Sequence, residues 1–208
     1  MKKRELSGKL KLINQLTRTE KFSLDVGSKN VRFGDVNIDI DRSCSPDVVA
    51  DAKCLPFRSC LFKLVFFSDV IEHLPKGHEP KILREIHRVM CLSSELILTT
   101  PHRRLLFLIL DPAWYFIRHR HYKISEIESL LKTNGFGVKI IFTSGSFWTC
   151  MNVLWYCFIT YPLKRLFGLS LPYCPNILKN LEAQEYNKHC QNGYTIFVKV
   201  RKLSKDDF

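Results

Sequence analysis

LFKLVFFSDVIEHLP, residues 61–75, decides the fold. Its first half, Leu61 to Phe67, is too continuously apolar to be half exposed, so it predicts a strand buried on both faces, as in a sheet covered by helices. Its second half, Ser68 to His73, turns abruptly polar. Ligands of open α/β sheets gather at the carboxyl ends of the strands, so this change of character predicts a binding edge. Upstream, Phe22 to Val26 reads as a buried strand ending at Gly27. Val36 to Ile40 is a second, carrying Asp39 with Asp41 just beyond, and Asp47 to Ala50 a third, ending at Asp51. Downstream, Ile82, Leu83, Ile86, Val89 and Met90 recur at helical spacing and predict an amphipathic helix between His78 and Met90. Glu95 to Thr100 follows as a strand stopped by Pro101. Ser125 opens another helix, with Glu128 completing a capping box and Gly135 ending it. Phe136 to Phe142 and Tyr194 to Val200 complete seven strands. Nearly all-apolar strands alternating with helices mean an α/β, doubly wound, mostly parallel seven-stranded sheet with helices on both faces.

The chain has 208 residues, 46% of them hydrophobic, which suits a single domain with a two-sided core. Within it the sequence divides into an amino-terminal basic helix (1–20), a core (21–143), an apolar insertion (144–190), and a last strand with its tail (191–208). The formal net charge of +12 predicts attraction to something anionic: nucleic acid, an acidic lipid surface or a phosphorylated substrate. Eight cysteines without a C-x-x-C pair, and a start (MKKRELSGKL) lacking the apolar stretch of a secretory signal, predict a reduced, cytoplasmic setting. No Cys/His cluster has metal-ligand spacing, so no metal is expected. Nothing matches a hydrolase triad or a phosphate-binding loop.

LDVGSKN, VNIDID, DVVADAKCLPF, LVFFSDVIEHLP, LREIHRVM and LILTTP follow one another between residues 24 and 101. In that order and at that spacing they resemble the class I S-adenosylmethionine-dependent methyltransferases, a Rossmann-like fold with an antiparallel last strand. They look most like the type 11-like branch, in which a short loop replaces the helix between the first two strands. The resemblance implies S-adenosylmethionine as cofactor. Asp25, Gly27 and Asn30 would then surround its methionine part, and Asp39, with Asp41 as the nearby alternative, would accept from both ribose hydroxyls. Asp51 and Ala52 would meet the adenine, with Leu55 and Phe57 packing on the ring, and Ser68 and Asp69 would lie beside the sulfonium. An aspartate ending a strand is, singly, often only a cap or turn residue. Three at successive strand ends point to a ligand. Ser28, Lys29 and Asn30 stand where the family has further glycines, and Asn30 can take a left-handed backbone in place of one.

Methyl transfer asks mainly for alignment and desolvation; a general base is needed only for a hydroxyl or a protonated amine. His73 and His102 are the candidates, each equally readable as a surface or packing residue. The acceptor is suggested by Ile140 to Leu163, twenty-four residues without a charge, rich in Trp, Tyr and Phe and followed by Lys164 and Arg165. Its second part, Phe147 to Leu163, predicts an apolar helix that lies in the core, covers a substrate mouth, rests on a bilayer or makes a dimer. Arg103 to Tyr122 has the same mixed apolar and basic character. Together they favour a small apolar or lipid-linked acceptor and peripheral contact with an anionic membrane at its inner face, over nucleic acid. Two other readings stay open: an RNA acceptor, or a catalytically silent membrane-associated scaffold in which Lys29 or Phe33 fills the cofactor cleft.

Overall fold

A computed structural model describes residues 8–17, 22–29, 31–111, 119–169, 172, 174–188, 190 and 192–203. Its sheet is built from β1 (Ser23–Val26), β2 (Val36–Asp39), β3 (Val48–Val49), β4 (Phe62–Ser68), β5 (Met90–Pro101), β6 (Phe136–Ser144) and β7 (Thr195–Lys202). The spatial order is β3-β2-β1-β4-β5-β7-β6. The pairs β1/β2, β1/β4, β2/β3 and β4/β5 are parallel, whereas β7 runs antiparallel between β5 and β6. Strand order reverses between β1 and β4, and at such a switch point the connections leave in opposite directions and open a crevice at the carboxyl ends.

The apolar runs go where their period sends them. Leu24, Val26, Ile38, Val65 and Phe67 are almost wholly shielded, each burial stabilising by about 1.5–3 kcal/mol. Helix α2 (Glu79–Val89) hides Ile82, Leu83, Ile86 and Val89. Helix α4 (Ile124–Thr133) hides Ile127 and Leu131. Its start uses Lys123 and Glu126 in place of Ser125 and Glu128, and only half of a capping box forms: the Lys123 N–H donates to the Glu126 carboxylate at 2.8 Å, while the lysine side chain has no acceptor to return the bond. Glu128 instead pairs with Lys132 one turn on. The third strand is two residues long, shorter than 47–50, and β5 starts at Met90 as soon as α2 ends.

The described residues fall into two compact units. A sheet unit takes them from 19–101, 122–141 and 197–208; a helical unit takes them from 1–18, 102–121 and 142–196, so β6 and β7 each contribute to both. The helical unit holds α1 (Gly8–Leu16), α3 (Leu105–Leu110), α5 (Phe147–Trp155), α6 (Tyr161–Phe167) and α7 (Asn176–Tyr186). The apolar helix predicted to stop at Leu163 continues to Phe167. It passes through a π turn, Tyr156–Thr160, where the Tyr161 N–H bonds the Tyr156 carbonyl five residues back. Pro162 has no N–H to continue the regular ladder, and the wider turn absorbs that break. Helix α5 starts on the Glu185 carboxylate of α7, which accepts from the N–H groups of Ser146, Trp148 and Thr149 at 2.8–3.1 Å. A negative group there meets both the unpaired amides and the positive end of the helix dipole. Among the described residues no helix is long and apolar enough to cross a membrane.

Candidate functional site

Gly27 sits at the end of β1 with φ +76°, and its N–H, like that of Ser28, donates to the Ile38 carbonyl of β2. A Cβ on Gly27 would lie 2.5 Å from the Val70 side chain, just past β4. Only glycine both takes this backbone and lets the ends of β1 and β4 meet so closely. The turn that follows is glycine-poor, and Lys29 adopts the left-handed conformation (φ +45°), at a cost of roughly 1–2 kcal/mol. Asn30 lies outside the described residues.

Two carboxylates hold this turn. Asp39, 7% exposed at the end of β2, accepts from the Lys29 N–H at 2.8 Å through one oxygen and from the Asp41 N–H at 2.9 Å through the other. Each oxygen keeps lone-pair capacity, so the group can still accept from a bound diol. Asp25, 2% exposed, accepts from the Phe33 N–H at 3.0 Å. Burial pushes its pKa up to about 7; the Phe33 bond opposes this and the nearby Asp39 charge adds to it. The Phe33 ring stacks on Phe66 of β4, with centroids 5.3 Å apart, while Lys29 is exposed. Gly34 lies so near β1 that a Cβ would be 2.6 Å from the Asp25 nitrogen. Among the described residues no helix joins β1 to β2. Residues 31–35 cover this face of the sheet instead, and Asp25 anchors them.

Asp51 follows β3, and the Ala50 N–H bonds the Asp39 carbonyl, so the two acidic positions neighbour one another along the edge. The Asp51 carboxylate accepts from the Lys53 N–H at 2.9 Å and pairs with Lys53 Nζ at 3.2 Å. That backbone bond, foremost, holds its pKa below the usual carboxylate value. Ala52 is half-buried beside it. Phe57 is not at this edge: its ring meets Phe62 edge-on at 5.1 Å, at the amino end of β4. Glu85 and Arg88 of α2 draw residues 55–57 there, through bonds to the Leu55 N–H and to the Leu55 and Phe57 carbonyls.

Past β4, the Ser68 hydroxyl is 2.7 Å from that of Thr99, which donates to Asp69 at 3.1 Å. Asp69 has φ +53°. Next along, the Thr100 hydroxyl donates to the buried Glu72 carboxylate, and Tyr122 reaches the Ile71 carbonyl and Glu79. Ser68, Asp69 and Glu72 belong to LVFFSDVIEHLP, and Thr99 and Thr100 to LILTTP; the parallel pairing of β4 with β5 sets the ends of these two stretches side by side, whereas Glu79 and Tyr122 had no signal in the sequence. His73 is exposed. His102 belongs to the helical unit, where its N–H bonds the Tyr194 carbonyl and its Nδ1 the Gly193 carbonyl; burial holds its pKa below the ordinary value.

S-adenosylmethionine can be weighed against these groups. The Ser28 hydroxyl is shielded and lacks a hydrogen-bond partner among the described residues. A lone buried hydroxyl beside Gly27 costs stability unless a ligand group meets it. With the spare acceptor capacity of Asp39, it makes the donor and acceptor set fit a nucleoside carrying a zwitterionic tail.

No protein-family model and no curated protein matches the sequence. Solved structures do match. One is a protein of Bacillus halodurans C-125 assigned to the methyltransferases, 17% identical, covering 93% of this chain and 98% of its own, TM-score 0.61. This chain has the S-adenosylmethionine-dependent methyltransferase fold. An S-adenosylmethionine-dependent methyltransferase of Thermotoga maritima shares it at 14% identity, with coverage of 94% and 89% and a TM-score of 0.62. So does the Burkholderia thailandensis 1,6-didemethyltoxoflavin-N1-methyltransferase, solved with that compound and S-adenosylhomocysteine, at 12% identity, 95% and 77% coverage and TM-score 0.56. In the terms of that fold, Gly27 and Val70 flank its switch point, and Asp39 and Asp51 continue the same edge.

A second surface belongs to the helical unit. Leu105 and Leu106 of α3 are 75% and 61% exposed; Phe158, Leu166 and Phe167 along the α5–α6 helix are 61%, 74% and 67% exposed. Arg103, Arg104, Lys164 and Arg165 neighbour them in the chain.

Proposed function

We propose that the protein is an S-adenosylmethionine-dependent methyltransferase whose acceptor is a small, apolar or lipid-linked molecule. The observation that carries the cofactor reading is the switch-point edge: Gly27 closed against Val70, the shielded Ser28 hydroxyl, and the Asp39 carboxylate at the next strand end. The cofactor supplies an electrophilic methyl group on a sulfonium. Asp39 binds the ribose as a paired acceptor; Ser28 and Asp25 meet the polar tail. Asp51 and Ala52 receive the adenine, and Ser68 and Asp69 line the place where the methyl is presented. Residues 31–35 shield the sheet face from water, which sharpens every electrostatic contact at the edge. His73, exposed past β4, is our candidate for taking a proton from a hydroxyl or amine acceptor.

The acceptor reading rests on the apolar side chains of α3, α5 and α6 beside cations, on a chain of net charge +12. Such a surface suits the boundary between acyl chains and anionic headgroups, here at the inner face of the cytoplasmic membrane. The Burkholderia relative acts on a small molecule, in keeping with an acceptor of that size. Calorimetry with S-adenosylmethionine tests the first half: wild type binds and Asp39→Ala binds far more weakly. Absence of binding by wild type at millimolar cofactor overturns it. Co-sedimentation tests the second half: binding to anionic vesicles, with none to neutral ones, is expected. Stronger, steeply salt-dependent association with RNA than with anionic vesicles would replace the lipid reading with an RNA acceptor.

A further inference from the structure

The sequence offered no metal-ligand spacing, yet the helical unit brings one aspartate and two histidines to a point. Asp111 caps the end of α3 and is 1% exposed. One of its oxygens, Oδ2, lies 2.9 Å from His119 Nδ1 and 2.8 Å from His121 Nε2. The side chain of His121 is fully shielded and that of His119 is 12% exposed. The other ring nitrogen of His121, Nδ1, faces the His102 carbonyl at 3.2 Å. That carbonyl is fixed in turn, since it also accepts from the Arg104 N–H at 3.0 Å. The Tyr194 ring stands edge-on to His121, with Phe107 edge-on to Tyr194 behind it.

A neutral imidazole carries one N–H. His121 presents a nitrogen to an oxygen acceptor on both sides, so one contact sets lone pair against lone pair unless a cation occupies it. A second proton would relieve that one contact. A divalent metal would relieve it and also take up His119 Nδ1, because the three donor atoms all lie within 4.8 Å of one another. It would neutralise the shielded carboxylate as well.

We propose that Asp111, His119 and His121 form a mononuclear site for a divalent transition metal, zinc by ligand type. Two imidazoles and a carboxylate are a borderline-soft set that suits zinc, and three protein ligands leave a fourth position open. His121 donates its Nδ1–H to the His102 carbonyl, an outer contact of the kind that orients a metal-bound histidine. His119, with its side chain 12% exposed, is the more accessible of the two histidines. The site lies within one unit and does not depend on the methyl-transfer reading.

The test uses the full chain, reduced and stripped with a chelator, titrated with cobalt(II) and followed by visible absorption. Wild type is expected to bind one equivalent with an intense four- or five-coordinate spectrum lacking thiolate charge transfer, displaced by zinc. His119→Gln and Asp111→Asn are each expected to weaken binding about a hundredfold or more, since loss of even an outer contact costs 10- to 100-fold. Zinc should raise the melting temperature of wild type and not of the variants, by mass action on the folded state. His119→Gln, at the exposed rim, provides the reading if Asp111→Asn does not fold. No cobalt spectrum, a spectrum with thiolate charge transfer, or equal binding by wild type and His119→Gln overturns the proposal.

Discussion

The sheet unit and the helical unit treat their apolar side chains in opposite ways. In the first, most aliphatic side chains of β1, β2, β4 and β5 are shielded, with Leu92 at the start of β5 an exception, and polar groups crowd onto the carboxyl edge. In the second, α3, α5 and α6 leave Leu105, Phe158, Leu166 and Phe167 more than half exposed, while Glu182, Glu185 and Asp111 are drawn inward against Asn152, the start of α5, and two histidines. A surface of that kind retains free energy to be released on contact with something apolar. The difference separates a unit that covers most of its apolar surface from one that leaves several large apolar side chains in solvent.

The largest expected effect comes from Asp25, whose burial opposes the charge it carries. Folded Asp25 keeps its proton to about pH 7, whereas the unfolded side chain releases it near 3.8. Between those values the folded state binds more protons, so stability falls as pH rises through the window and levels off above it. Asp25→Asn has no proton to lose. It should match wild type near pH 4 and exceed it at pH 8 by up to about 4 kcal/mol, at 1.36 kcal/mol per unit, while binding cofactor less well; parallel urea titrations at the two pH values check this. Equal pH profiles would break the picture of a sheet unit that gives up stability for its edge.

Gly27→Ala should cost about 3 kcal/mol, combining a disfavoured backbone with a clash against Val70. Adding Val70→Ala should restore the part due to the clash, and denaturation of both variants closes the cycle. Asp39→Ala is expected to lower S-adenosylmethionine affinity about a hundredfold, by calorimetry, since each hydrogen bond to a charged acceptor contributes roughly 1.5–3 kcal/mol. The smallest effect on the fold belongs to the other unit. Replacing Phe158, Leu166 and Phe167 by serine should leave the melting free energy within ~0.5 kcal/mol per site. The same variant should lose about tenfold or more in partitioning to anionic vesicles, read by co-sedimentation. Strong destabilisation would instead mean that these residues serve the fold.

Much of the sheet was legible from residue period. Leu61 to Phe67 could hardly be anything but a doubly buried strand, and Ile82 to Val89 repeat with the spacing of one helix face. Capping was less so: Ser125 and Glu128 have the right chemistry, but helix α4 opens two residues earlier, where the Glu126 carboxylate accepts from the Lys123 N–H. Phe57 misled for a similar reason, since adjacency to Asp51 in the chain says nothing of Glu85 and Arg88, thirty residues on, which draw it to the opposite end of β4. The residues of the proposed metal site are close in the chain, His119 and His121 two apart after Asp111, without a ligand spacing that sequence alone would pick out. Alternation of that kind becomes meaningful only when a fixed carbonyl orients one ring.

By itself, then, the chain's pattern of apolar runs and strand-end aspartates determined the sheet, its parallel core and the edge where a nucleoside would lie, because periodicity and turn chemistry act over a few residues. Tertiary structure alone decided that Asp25 is shielded and anchors residues 31–35, that Ser28 is left with a shielded hydroxyl, and that Asp111 meets two imidazoles. Burial, proton affinity and convergence of donor atoms depend on which distant segments cover a group, and no local pattern of residues encodes that.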